Sequence, residues 1–494
     1  MFPQPIAIPE GAQVQILDPT TPWSVSLYIR RPLSPDGLSV SDHAAGIRAG
    51  THRVLSREEF ANIFSSDQAD HDLVDNYAQQ IGATVDLSHT TAAVVTLLGT
   101  VGIFNSMFSV ELHTVTTDER TYASYFGTAR LPAELTDVVV NVSGLDYSHE
   151  PYPRSLIRAV TTTTDTPTSI FGSYTTPVGS PQAAATAYNF PGRNDGTDGI
   201  GQVVGLIEPF GSCGYTQQNL NSTFGGFGLT VPNIVEYLYS NNPFFNVIND
   251  PSQGASAEVM LDIAAVGGIV PKATTVVYIT DNLLNAMSAS LYDIKNLGYF
   301  PSVLSFSFAA TLPHYGSTFN EATAMGVTLV VASGDWGIYN LPSGWTGRAV
   351  DVAYPAASAN VLAVGGTSLA INPDGTRASE VAWNDGYDYA ISGGGQSTME
   401  PVPSWQSGLT LKNYGTGAVT VLTGRGTPDV AFNADGNTGF PVYYDYTNKG
   451  FSANGTSSAA PHWAGLIARM NEAAGGRLGF ITNILYQHPE AFND

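Results

Sequence analysis

Three carboxylates and one serine carry the chemistry this sequence offers. Glu258 and Asp262 stand four apart in Ser256-Ala257-Glu258-Val259-Met260-Leu261-Asp262. On a helix that spacing places both on one face. Two carboxylates side by side repel, and one then holds its proton more tightly than usual. Their neighbours are apolar (Val259, Met260, Leu261, Ile263, Ala264), and no Lys or Arg appears until Lys272. Asp335 lies in Ser333-Gly334-Asp335-Trp336-Gly337, a Gly-flanked turn after an apolar run. Ser457 lies in Gly455-Thr456-Ser457-Ser458-Ala459-Ala460-Pro461, between Gly-containing loop sequence and the apolar helical run Trp463 to Ala474. That setting predicts a serine at the mouth of a helix, its hydroxyl facing out above unpaired N–H groups and the positive helix end. Pro461 then fits the first turn, and Gly455 permits a sharp bend and close substrate approach. On Gly-Thr-Ser alone, an ordinary capped helix is the alternative. On spacing alone, a structural or solvated role for each acid stands beside the catalytic one.

A serine nucleophile needs a base, and the usual one is imidazole. No histidine occurs between His149 and His314, and beyond His314 there are only His462 and His488. His462 follows Pro461 on the nucleophile's own helix and does not easily reach the serine face where a proton is taken. The conventional Ser-His-Asp arrangement is absent, which leaves the carboxylates as candidate bases.

The elements that must hold these groups fall into two regions. Residues 1–150 mix strand-like and helical stretches. Ser56 and Glu59 are spaced as a capping box opening a helix; further helices are predicted over His71 to Ile81 and Val101 to Phe108. Strands are predicted over Thr91 to Leu98 and Val138 to Val142. This reads as a small α+β domain with an antiparallel sheet. Six of the nine histidines fall here, with no metal-ligand spacing. Residues 151–180, of which 159–180 are rich in Thr, Ser, Pro and Gly, read as an exposed, cleavable linker. Residues 181–494 alternate short apolar strands (Val203 to Glu208, Thr274 to Ile279, Ser302 to Phe308, Val327 to Ala332, Val361 to Val364) with helical patterns (Ala257 to Val266, Asn282 to Leu297). That alternation predicts a parallel sheet covered on both faces, with a site where the strands' carboxyl ends meet loops.

Composition narrows the class. The 494 residues carry 19 Lys+Arg against 42 Asp+Glu, a net charge of −23, so nucleic acid is not an expected partner. Only 12% of residues are charged, against the usual ~25%; a protein relying on few ion pairs loses little stability where carboxylates protonate. The single cysteine, Cys213, permits no intrachain disulfide. No apolar run approaches the ~18 residues that span a bilayer, and no standard signal peptide is legible at the N-terminus.

These motifs, in their order, resemble the sedolisins, or serine-carboxyl peptidases, most of all their kumamolisin-like members. The resemblance rests on Ile207-Glu208, the Glu258/Asp262 helix, Ser333-Gly334-Asp335, Val364-Gly365-Gly366-Thr367-Ser368, Ser392-Gly393-Gly394-Gly395, Arg425-Gly426-Thr427-Pro428-Asp429 and the Ser457 motif. It implies a subtilisin-like α/β domain (181–494) preceded by a ferredoxin-like α+β propeptide (1–150) and a cleavable linker (151–180). It implies Ser457 as nucleophile, Glu258 as its base, Asp262 tuning Glu258, and a protonated Asp335 at the oxyanion. The implied activity is an acid-acting endopeptidase made as a self-processing zymogen. The alternatives are a tripeptidyl aminopeptidase of the same family and a non-catalytic peptide-binding relative. Polypeptide substrates and the chain's own propeptide are the expected partners, with no nucleic acid and no membrane; a secreted monomer is expected. In some members a second glutamate and a tryptophan extend the relay; Glu208 stands at the first position, but Phe308, with no N–H, at the second. The family uses calcium. Asp494 matches the aspartate that opens its calcium loop and is the last residue here, so weak or no calcium binding is the expectation.

Overall fold

The computed structural model describes residues 7–117, 121–148, 152–153, 179–191, 196–209, 212–240, 247–253, 255–309, 316–341, 348–386, 390–412 and 416–493. Most of the predicted linker, 154–178, lies outside the described residues, as does Asp494.

The N-terminal region is built on a four-stranded antiparallel sheet. In space the strands run Thr84–His89, Val94–Thr100, Pro22–Ile29, Val139–Ser143. Helices follow the first strand in sequence (Val40–Arg48, Arg57–Phe64 and Gln68–Ile81), and another (Val101–Phe108) follows the third. That is the ferredoxin-like order. A second antiparallel sheet joins Gln13–Ile16, Val110–Thr116 and Thr121–Gly127. The predicted capping box forms: Ser56 Oγ accepts from Glu59 N, and Glu59 accepts from Ser56 N. The helix predicted from His71 begins at Gln68, because the Asp67 carboxylate caps it by accepting from Ala69 N. His71 and His113 are buried, and burial pushes both imidazoles below their usual range.

The C-terminal region carries an eight-stranded sheet in the order Asn233–Tyr239, Thr274–Thr280, Val203–Glu208, Val303–Phe306, Thr328–Ala332, Val361–Ile371, Arg377–Ala382, with Val430–Asn433 also paired to Val361–Ile371. All these pairings are parallel except that of Arg377–Ala382. Alternation along each strand divides the core into two layers. Val204, Leu206, Val277, Ile279 and Val330 face the helices Ser256–Ile269 and Thr456–Ala474. Ile207, Val276, Tyr278, Leu329 and Val331 face Leu283–Tyr292 and Gly316–Ala324. Two predicted boundaries move furthest. The helix expected to reach Leu297 stops at Tyr292, where Asp293 turns left-handed (φ 47°) and its carboxylate accepts from Leu297 N and Gly298 N. The strand expected to end at Val364 runs to Ile371, because it continues into a hairpin with Arg377–Ala382.

The two regions share one core layer. Leu55, Phe60, Phe64 and Val94 of the first pack with Tyr292, Phe319, Ala324 and Met325 of the second. At this seam Arg31 pairs with Glu321 (3.0 Å), its partner 290 residues away, with both side chains about nine-tenths buried. Arg31 also donates to Tyr292 Oη (2.9 Å) and to the carbonyls of Phe64 and Thr91. Truncating Arg31 strands the Glu321 charge in the interface, a loss of about 3–5 kcal/mol for a broken buried pair. Arg31→Ala is therefore expected to loosen the N-terminal region at neutral pH, read as faster proteolytic trimming and a lower melting temperature. Unchanged melting would show that the pair adds nothing to the seam.

Candidate active site

The helix that carries Glu258 and Asp262, Ser256–Ile269, is buried along its whole length, both carboxylates included. The helix that carries Ser457, Thr456–Ala474, packs along it, and the crossing is close: a Cβ on Gly465 would lie 2.8 Å from Ile269 Cβ. Two expectations about this helix are corrected. It begins at Thr456, so Pro461 stands in its second turn, not its first. Ser457 does not face out; it is fully buried in the full-length chain. The reason for the early start lies elsewhere in the chain. Asp335, in the loop after strand Thr328–Ala332, caps the helix: its Oδ1 accepts from Thr456 N (2.8 Å) and Thr456 Oγ1 (2.7 Å). Thr456 Oγ1 in turn accepts from Gly334 N (3.0 Å). Gly455 sits at φ +83°, and a Cβ there would lie 2.7 Å from Asp335 Oδ2. Conformation and space both require glycine at this point.

Ser307 joins the two helices. Ser457 Oγ donates to Ser307 O (3.4 Å), and Ser307 Oγ donates to Asp262 Oδ1 (3.0 Å) and Ser457 O (3.3 Å). Sequence reading passed over Ser307, which directly follows the carboxyl end of strand Val303–Phe306. Beyond it, Phe308–Ala309 pairs antiparallel with Tyr152–Pro153, so the chain leaving the N-terminal region is laid as a strand one residue from Ser307.

The electrostatics are unusual for buried acids. Burial, with Glu258 nearby, pushes the Glu208 carboxyl well above its usual range. Burial, with Glu208 and Glu258 close by, raises Asp262 too, against the hydrogen bond from Ser307. No cation acts on either group among the described residues. Neither Glu208 oxygen has a hydrogen-bond partner there. A carboxyl held neutral by the fold stabilises nothing through charge. As pH rises past the ordinary carboxyl value the unfolded chain ionises, and stability falls until the raised folded value is reached. Glu208→Gln is neutral in both states, so it is expected to raise the melting temperature at pH 7 and leave it unchanged at pH 3. A lower melting temperature at pH 7 would mean that the Glu208 charge is compensated in the fold.

His462 is turned away from Ser457. Its Nδ1 contacts Ser458 O (2.6 Å), its ring stacks on Phe432 (4.4 Å), and burial holds it down at about 4. No group of three or more His, Cys, Asp or Glu side chains among the described residues could hold a metal ion. Asp494, the candidate calcium ligand, lies outside the described residues.

A parallel sheet with helices on both faces, and a buried serine at the mouth of one of them, is the arrangement of the subtilisin-like fold. The subtilase family profile matches residues 252–482, and the pro-kumamolisin activation domain matches residues 12–148. Kumamolisin of Bacillus sp. (strain MN-32) is 33% identical over 95% of this chain and 84% of its own length. Sedolisin of Pseudomonas sp. (strain 101) is 37% identical over 36% of this chain and 29% of its own. Tripeptidyl-peptidase 1 of Rattus norvegicus is 31% identical over 42% and 36%. Among solved structures, Pseudomonas sedolisin complexed with pseudo-iodotyrostatin superposes with a TM-score of 0.52 at 26% identity, over 65% of this chain and 87% of that one. The chain belongs to the sedolisin family of serine-carboxyl peptidases, and it carries the family's activation propeptide.

Proposed function

We propose that this chain is the zymogen of an acid-acting endopeptidase in which Ser457 is the nucleophile, Glu258 its base, Asp262 the partner that tunes Glu258, and Asp335 the oxyanion donor. The observation that carries this reading is the Ser307 junction, which ties the base helix and the nucleophile to the same residue. The orientation of His462 supports it further, since the imidazole on the same helix as Ser457 then does not compete for the role.

Ser457 Oγ attacks the scissile carbonyl carbon while its proton passes to Glu258. Asp262 shares the negative charge of the pair before transfer. The oxyanion forms beside Asp335, where a neutral carboxylic acid donates and a carboxylate would repel. The proton on Glu258 then goes to the leaving amine, and water repeats the sequence on the acyl-enzyme. A carboxylate base stays partly ionised in acid, where imidazole is fully protonated. Domain limits of 1–150, 151–180 and 181–494 follow from the same reading. The strand pairing at Tyr152–Pro153 supports processing of the following segment by the chain's own site, and a secreted monomer fits it.

The test is incubation of the full-length chain at about pH 3–4, with N-terminal sequencing of the product, then digestion of an N-acetylated protein. Cleavage between residues 154 and 180, with internal cuts in the blocked substrate, is expected. The tripeptidyl-peptidase relatives motivate the second arm: release of tripeptides from free N-termini alone would replace the endopeptidase reading.

A further inference from the structure

Pro461 creates a vacancy in the hydrogen bonding of its own helix. With no N–H, it cannot bond the carbonyl four residues back, and that carbonyl belongs to Ser457, the nucleophile of the proposed reaction. Ser307 Oγ supplies the missing donor at 3.3 Å. The same hydroxyl donates to Asp262 Oδ1 at 3.0 Å, and the Ser307 carbonyl accepts from Ser457 Oγ at 3.4 Å. Ser307 is buried, so water does not replace these bonds. A hydroxyl has one proton, and here two acceptors share it: the nucleophile's carbonyl and the carboxylate behind the base.

We propose that Ser307 is a positioning residue that locks the nucleophile's backbone to the base pair and apportions one donor between Ser457 and Asp262, with Pro461 setting the division. The proposal rests on the Ser457/Glu258/Asp262 reading above. Asp262 faces two titratable groups, Glu258 on its own helix and Glu208 at the end of the neighbouring strand. His462, on the nucleophile helix, points at Ser458 O and the Phe432 ring instead. The other Asp262 oxygen, Oδ2, has no hydrogen-bond partner among the described residues. The Ser307 hydroxyl is therefore the donor that favours the ionised form of Asp262.

Two substitutions push the shared proton in opposite directions. Ser307→Ala removes the donor, so the base pair holds its proton to higher pH. The acid limb of the kcat profile is expected to move up by about one pH unit, the scale of one hydrogen bond to a charged group, with kcat reduced about tenfold or more. Ser307→Thr keeps the hydroxyl and is expected to return the limb towards the wild-type position. Pro461→Ala restores the backbone N–H to Ser457 O and frees the Ser307 proton for Asp262, so its limb is expected to move down. Limbs that superpose on wild type in both Ser307→Ala and Pro461→Ala, or a Pro461→Ala limb that moves up, would overturn the proposal. If Ser307→Ala does not fold, the direction seen in Pro461→Ala decides. Glu258→Gln separates the two layers of argument. Full activity in that variant removes the catalytic reading itself, whereas an inactive Glu258→Gln beside unmoved limbs removes only the role of Ser307.

Discussion

Ser457→Ala is expected to abolish proteolysis and self-processing together, leaving the full-length chain intact after acid treatment. The expected loss in kcat is on the order of 10⁶-fold, the scale seen when a subtilisin nucleophile is removed. The fold should hardly notice. The substitution deletes one oxygen whose single hydrogen bond, to Ser307 O, is long at 3.4 Å, so melting at neutral pH should stay near that of wild type. Glu258→Ala is expected to lose nearly as much activity, because nucleophile and base act as a unit. Mass spectrometry of the acid-treated chain and hydrolysis of a protein substrate read both. Normal turnover by Ser457→Ala would sink the mechanism.

The oxyanion group gives the second large effect. Asp335 does two things at once: it caps the helix of Ser457 at Thr456, and in the proposed reaction it donates to the oxyanion. Ala removes both. A lost oxyanion donor costs about 10²–10³ in rate, and a lost helix cap costs about 1 kcal/mol of stability. Asn keeps an acceptor for Thr456 and a donor for the oxyanion, so Asp335→Asn should retain more activity than Asp335→Ala. The pH profile separates them further. Wild-type activity should fall towards neutrality as Asp335 ionises and faces the developing oxyanion as a negative charge. In Asp335→Asn that group cannot ionise, so the alkaline limb should move to higher pH. Equal loss in the Asn and Ala variants, or a wild-type optimum near pH 8, would contradict the assignment.

The sequence by itself brought out the candidate site residues and determined the class of fold. Glu258 and Asp262 are four apart on an apolar helix, and that was legible because helical geometry is local. The parallel sheet was legible because its strands are short apolar runs between helical patterns, and the capping box at Ser56 and Glu59 because it spans one turn. Element ends were less legible. The Asp293 stop and the hairpin that lengthens Val361–Ile371 depend on particular side-chain and strand partners.

Only the tertiary structure decided how the groups meet. Asp335 caps a helix 121 residues away, and this capping starts that helix at Thr456 and places Pro461 in its second turn. Ser307 reaches Ser457 across 150 residues, and Arg31 reaches Glu321 across 290. None of these pairings leaves a periodic trace in the chain. Each is one or two polar bonds across a packed core, fixed by how the apolar layers stack rather than by the residues on either side.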